Sequence, residues 1–302
     1  MENWRRHPVV FWTFLLPGSL WLLLFFFIPL GIVWVVAFGE RVGPAELKIT
    51  WTLANYREAL DPLYLGLFLK SLWIGGIATL ITLIVGFPVA FALSFAPDRI
   101  KTLLLVLIIL PFWTNILIRT YAMIAVLRRK GYVNAGLESL WDGAVVLLTP
   151  LGLAGLLGER FQPLDLLYNN TAVVVGIVYI YLPFMILPLY AALERLDKSL
   201  IEASLDLGAG QITTFFRITV PLASAGIVSG LILVFIPAVG TFLISDLLGG
   251  PDSQLIGNVI ERQFKSANNW PLGAAMSFLL LYLTFVILAL RAWLASRNRA
   301  HD

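Results

Sequence analysis

The sequence contains no cysteine, which excludes disulfides, thiolate metal sites and thiol catalysis and leaves the redox compartment open. Histidine is almost as scarce, with only His7 and His301, near opposite ends of the chain. Neither an HExxH or paired-histidine metal centre nor a Ser-His-Asp triad can be assembled from them within the apolar body. No G-x-x-x-x-G-K-[ST] phosphate loop occurs either. Any ATP-driven work must therefore draw on ATP hydrolysed by another polypeptide. Charge is the third shortage. Only 13% of the 302 residues are Asp, Glu, Lys or Arg, about half the share of a soluble domain. So few charges cannot cover a water-facing surface. The formal charge of +3 is scattered rather than massed, so the chain carries no footprint for nucleic acid.

Apolar sequence fills the space that charge leaves. Hydrophobic residues make up 59% of the chain, and the mean hydropathy is +0.88. Ten Trp and nine Tyr suit the interfacial belts of a bilayer. A spanning helix needs about 20 apolar residues, and that rule predicts spans over 10–38, 67–95, 102–127, 171–192, 222–248 and 271–295. The expected fold is an all-α integral membrane protein, one transmembrane domain over 1–302, with its termini on the same side. The first run, from about Val9 to Phe38, is longer than a signal h-region, and "VVAFGERVG" offers no small-x-small cleavage site, so it reads as a retained anchor. The apolar insert Ala144–Leu157 is too short to cross and holds Pro150. It reads as an outside-facing surface helix rather than a seventh span.

Lys and Arg are nearly balanced across the two sides. The tight connection Pro97-Asp98-Arg99-Ile100-Lys101 marks the inner one, which places Arg5, Arg6 and both termini in the cytoplasm. Charges within the spans are few, notably Arg119 in the third and Asp246 near the outer end of the fifth. That scarcity argues against a chain that harvests an ion gradient by itself.

One stretch between apolar runs is patterned differently: "EASLDLGAGQITTFFRITVP", residues 202–221. Lys198 and Glu202 stand at i,i+4, which supports a helix, and Leu196, Leu200 and Leu207 recur at helical spacing. Gly208 supplies a helix end where positive φ is cheap. A second helix can start near Gln211 or Thr213, and Pro221 is expected to open the next span. The loop 193–221 is thus a cytoplasmic helix–turn–helix whose small residues, Ala203, Ser204 and Gly208, let another backbone approach.

Glu202-Ala203-Ser204, Gly208 six residues after Glu202, Ile218 and Pro221 resemble the EAA signature of binding-protein-dependent ABC importer permeases. Ser204 replaces the second Ala of that pattern, and Val220 replaces a Leu. Longer runs, "LPFWTNILIRTYA" (110–122), "VYIYLPFMILPLYAALERLDKSLIEASLDLGA" (178–209) and "SDLLGGPDSQLIGNVIERQF" (245–264), are similar to the spermidine/putrescine branch. The resemblance implies the type I permease fold in the bacterial inner membrane, without a cofactor or resident metal. It implies three kinds of partner: an ATP-binding homodimer, a second homologous permease and a periplasmic or surface-anchored binding protein. Coupling to the ATP-binding subunit would fall to Glu202, Ala203, Ser204, Leu205, Gly208, Ala209 and Pro221.

A polyamine is an extended cation, so aromatic walls and sparse acids suit its path. The candidates are Trp113, Tyr121, Tyr179, Tyr181 and Phe184, with Asp246 and Glu261 as acids near the outer mouth. Belt or packing roles explain the same aromatics, Glu261 could instead touch the binding protein, and Asp246 could pair with Arg119. Pro183 and Pro188, and Pro237 with Gly240, stand as either breaks around the pathway or plain kinks. Rival substrates are an opine or amino-acid-like amine, ferric iron or an oxyanion. Two different classes, a secondary carrier and a non-transporting scaffold, also remain.

Overall fold

The computed structural model describes residues 8–43, 46–151 and 160–299. Arg5, Arg6, His7, His301 and the 152–157 part of the apolar insert lie outside the described residues. In chain order the elements are α1 (Pro8–Leu22), α2 (Ile28–Val36), β1 (Gly39–Arg41), β2 (Leu47–Ile49), α3 (Ala54–Ala59), α4 (Pro62–Ser94), α5 (Asp98–Ile109), α6 (Ile116–Leu127) and α7 (Tyr132–Leu148). They continue as α8 (Asn170–Glu194), α9 (Lys198–Asp206), α10 (Gln211–Thr214), α11 (Val220–Leu222), α12 (Ser224–Gly240), α13 (Leu243–Leu248), α14 (Ile256–Lys265) and α15 (Trp270–Arg299).

Among the described residues, four helices are long and apolar enough to cross a membrane: Val9–Val36, Pro62–Ser94, Asn170–Glu194 and Trp270–Leu290. Counting each of two bent pairs as one span gives six. The third and fifth spans thus differ from their expected form. The third is not one helix over 102–127: the chain turns by 98° between Asp98–Trp113 and Ile116–Leu148. The fifth does not run on to residue 248: α12 ends at Gly240, and α13 starts again at Leu243. Pro221 does not open that span either. It sits in α11, and a 68° bend separates Gln211–Leu222 from Ser224–Gly240. Nor do Pro183 and Pro188 break the fourth span, since α8 continues through both. The helix before residue 149 begins at Tyr132, twelve residues ahead of the apolar insert.

Two five-residue π segments, Leu23–Phe27 and Phe215–Thr219, each end two residues before a proline, Pro29 and Pro221. A proline offers no N–H to the carbonyl four residues back and its ring crowds that carbonyl. The wider turn carries the ladder past the gap, with Ile28 N–H reaching Leu23 O and Val220 N–H reaching Phe215 O.

The chain divides into two compact units. In the first (Met1–Gly66 and Val259–Asp302), the buried Ala37, Ala274 and Ala275 meet Val36, Phe38, Tyr56 and Phe264. The amide of Asn55 donates to the carbonyls of Ala37 (2.9 Å) and Gly39 (2.7 Å), fixing the start of the hairpin in which Gly39 pairs with Ile49. Trp34 Nε1 donates to Tyr282 Oη (2.8 Å).

In the second unit (Leu67–Asn258), α8 packs along α12. Two small residues four apart on α12 allow the close approach. A Cβ at Gly226 would lie 2.6 Å from Ala192 Cβ and 2.7 Å from Pro188 O, and one at Gly230 would lie 2.6 Å from Met185 Sδ. The break after α12 is closed by buried polar bonds. Asn258 donates to Phe242 O (3.0 Å) and accepts from Leu255 N (2.9 Å) and from the Ser245 hydroxyl, while Ser71 Oγ accepts from Ile256 N (2.8 Å). The sequence run 245–258 is therefore a folded-back cap, held by side chains that replace lost helix bonds.

Candidate functional site

The loop after α8 is built from local signals. The Asp197 carboxylate caps α9 by accepting from Ser199 N (3.0 Å). Bonds from the Ser199 side chain and backbone hold that carboxyl below its ordinary value. The other end of α9 is a Schellman turn: Ala209 N–H reaches Ser204 O (3.1 Å) and Gly208 N–H reaches Leu205 O (2.9 Å). Gly208 holds φ at +85°, the left-handed region that glycine occupies without strain. Ser204, the departure from the EAA pattern, bonds hydroxyl to hydroxyl with Thr214 on α10 (2.9 Å). The turn between α9 and α10 is thereby stapled from both sides.

Glu202 and Ala203 are exposed on α9. The expected Lys198–Glu202 pairing does not form among the described residues, because Lys198 Nζ lies 4.9 Å over the Phe95 ring instead. Leu205 lines a groove of about 480 Å³ with Phe95, Ile201, Ile212 and Phe216. Leu207 is 89% exposed and Ile212 76% exposed. Ile212 and Phe216 escaped the sequence reading. The signal was there, since both are large apolar residues on a stretch expected to be in water. At the base of the loop Lys101 Nζ bonds Glu194 (2.8 Å) and lies 3.4 Å from Asp98, joining the start of α5 to the end of α8.

The second candidate region lies at the bend in the third span. Pro111 sits in a 3₁₀ turn, Thr114 is extended, and Asn115 caps α6 by accepting from Leu117 N (2.8 Å). Four residues on, the Arg119 guanidinium lies 5.5 Å from the centre of the Phe112 ring. Phe112 meets Phe184 edge to face at 4.7 Å, and the Phe184 ring is 6.0 Å from Tyr181. Three elements of unit two thus converge: the 3₁₀ turn, α6 and α8. Among the described residues, no three His, Cys, Asp or Glu side chains group as a metal site.

Residues 7–300 match the family described as binding-protein-dependent transport system inner membrane component. The chain belongs to that family. Among its curated relatives is the spermidine/putrescine transport system permease protein PotB of Salmonella typhimurium, 44% identical over 277 residues, covering 92% of this chain and 90% of that protein. PotB of Escherichia coli K12 is 43% identical over 277 residues, with 92% and 94% covered. In fold, the chain is similar to one from a bacterial ABC transporter involved in the import of the acidic polysaccharide alginate, at 17% identity and a TM-score of 0.65, over 98% of both chains. The fold is that of a type I ABC importer permease.

In this permease component the candidate pathway residues separate. Tyr181 and Phe184 belong to the aromatic cluster with Phe112, while Trp113 (87%) and Tyr121 (57%) are exposed. Tyr179 is exposed on α8, and Asp246 is exposed on α13. Asp246 makes no ion pair with Arg119 among the described residues, so that pairing is not what neutralises the arginine. Glu261 belongs to the other unit and bonds Lys265 one helical turn on (2.8 Å).

Proposed function

We propose that the chain is one of two permease subunits of a polyamine importer that takes up spermidine and putrescine. The observation that carries the substrate is the likeness to the spermidine/putrescine permeases, which spreads over 92% of the chain rather than residing in the EAA signature alone. The loop 193–221 and both termini face the cytoplasm. The groove between α9 and α10 receives an element of a separate ATP-binding subunit, which acts as a homodimer. Leu207 and Ile212 support this reading, since an apolar face in water invites a partner. A binding protein on the outer side delivers the substrate.

The mechanism is a population shift. ATP closes the ATP-binding dimer, the coupling loops of both permeases move with it, and the spans re-tilt from inward- to outward-facing. A slack loop would absorb this displacement, whereas the Schellman turn and the Ser204–Thr214 bond make a stiff joint. The candidate pathway is the aromatic region of Trp113, Tyr121, Tyr179, Tyr181 and Phe184, with Asp246 as its acid; Glu261, in the other unit, is a candidate for contact with the binding protein.

The test is uptake of radiolabelled spermidine and putrescine into proteoliposomes holding the complete transporter and its binding protein. Uptake that needs this chain and an intact catalytic residue in the ATP-binding subunit is expected. Uptake surviving loss of that residue would mean a secondary carrier. Uptake of an opine, ferric iron or an oxyanion in place of polyamine would overturn the substrate and leave the permease role standing.

A further inference from the structure

Arg119 is a charge without a counter-charge. Its Nε is buried and has no hydrogen-bond partner, and its guanidinium makes no ion pair among the described residues. The Phe112 ring is its one described cation contact. A guanidinium cannot escape by losing its proton, so an anion or organised water must meet it.

Depth decides which anion is available. Arg119's ring partner Phe112 packs on Phe184. Phe184 lies 14 positions into the 25-residue helix α8, which at about 1.5 Å per residue is roughly 15–21 Å from either end. A lipid phosphate at the membrane surface is beyond the reach of an arginine side chain from there. The proposed cargo is a cation and cannot supply an anion either.

The surroundings point outward from the chain. Thr114 and Asn115, where the helix is interrupted, are exposed, as are Trp113, Ile118 and Tyr121. Irregular backbone cannot face acyl chains, because its free polar groups would go unpaired; it must be covered by protein or line a wet cavity. The uncovered helix break and the unneutralised cation stand four residues apart, at the start of α6.

We propose that Arg119 pairs with a carboxylate supplied by the second permease subunit at mid-membrane, and that an ammonium group of the substrate takes over that carboxylate in transit. Arg119 is a resident stand-in for the cargo. With no substrate present it keeps the acid neutralised and the two permeases locked; with substrate present it is displaced. This inference rests on the two-permease reading given above.

The chain has no cysteine, so disulfide trapping starts from a clean background. In the assembled transporter, Arg119→Cys is paired in turn with a cysteine at each acidic position in the membrane helices of a cysteine-free second permease. Cross-linking at one such position is expected; an assembled complex that cross-links at none overturns the proposal. Function supplies the second arm. Arg119→Gln should lower polyamine uptake at least about tenfold, whereas Arg119→Lys keeps most of it, and neutralising the trapped acid together with Arg119→Gln should restore assembly. Wild-type uptake in Arg119→Gln, or no recovery of assembly in the double variant, also overturns it. Cross-linking and assembly do not depend on the cargo. A transporter that proves not to carry polyamines would therefore fail the uptake assay in wild type while leaving the ion pair testable.

Discussion

Two bends in the second unit use the same local grammar and end with different debts. At residues 207–210, α9 closes in a Schellman turn, Asp197 caps its start, and a hydroxyl pair ties it to α10. At residues 113–115, a 3₁₀ turn ends α5 and Asn115 caps α6. Both bends supply partners for their own end groups, as helix termini require. What they leave unmet differs in kind. The first leaves apolar side chains exposed, at roughly 25 cal/mol per Å² in water, a penalty that the proposed docking partner would relieve. The second leaves a guanidinium within an apolar span, which at a bilayer centre would cost at least about 2.5–3.5 kcal/mol. A joint that must engage and move with a soluble motor can tolerate the first condition. The second calls for a counter-charge from a neighbour.

The sharpest way to break this contrast is Gly208→Val. No atom lies within 4 Å of a Cβ built there, so the cost is purely the left-handed backbone, about 1–2 kcal/mol for an ordinary residue and more for a β-branched one. The turn should open and the α9–α10 joint loosen. Uptake is expected to fall at least about tenfold, while the binding protein captures substrate as before. Gly208→Asn, which tolerates positive φ, should recover most of the loss. Normal uptake in the Val variant would remove the stiff-joint role.

Asn115→Ala probes the other bend with a smaller effect. The cap bond to Leu117 N disappears, and caps of this kind are worth about 1 kcal/mol. The detergent-purified complex should melt a few degrees lower. The bend itself should survive, because Pro111 and the packing of α6 on α13 remain. An unchanged melting temperature would mean that the second permease, not the cap, sets the geometry there.

How far each bend could be read in advance follows from where its causes lie. The Gly208 turn and the start of α10 at Gln211 are local and legible in the sequence, whereas the Asp197 cap escaped the reading and Lys198 leaves Glu202 for the Phe95 ring. Pro221 misleads because the π segment before it absorbs its missing bond, and the real bend comes at Ala223, a residue with no turn signature. The breaks at 113–115 and 241–242 were hidden for another reason. Apolar residues flank both, and hydropathy does not register an interruption in hydrogen bonding. Asn115 was the available signal in the first, as a cap placed inside an apolar run. In the second, the partners that allow the break are Asn258 and Ser71, far along the chain, where only the folded unit brings them together. The prolines inside α8 are the reverse case, since that helix, packed against α12, continues through Pro183 and Pro188.

Asp246→Asn tests whether any of the Arg119 charge balance lies within the chain. Asp246 is exposed on α13, next to α6, yet pairs with no cation among the described residues. If it meets passing substrate, its neutralisation should weaken polyamine uptake by a few-fold through the loss of one charge contact, and should leave transporter assembly alone. Its effect should also add to that of Arg119→Gln, as independent sites do. Unchanged spermidine uptake removes Asp246 from the pathway. A coupling energy well above about 0.5 kcal/mol would tie it to Arg119 instead.

Ser204→Ala is the mildest change and bears on the first bend. It converts Glu-Ala-Ser to the Glu-Ala-Ala of the signature and deletes the hydroxyl bond to Thr214 (2.9 Å). Alanine is the better helix former, by up to about 0.7 kcal/mol, and one neutral hydrogen bond is worth about 0.5–1.5 kcal/mol. The two terms nearly cancel, so stability should change by less than about 1 kcal/mol. Thr214 is buried and has to be paired from elsewhere. Thr214→Val in the Ser204→Ala background removes that orphan hydroxyl, and the double variant is expected to match wild type in both uptake and melting temperature. A double variant that melts normally but transports poorly would mean that the hydroxyl pair transmits motion rather than merely filling a bond, and that the stiffness of this joint resides in the link between α9 and α10 more than in the Gly208 turn.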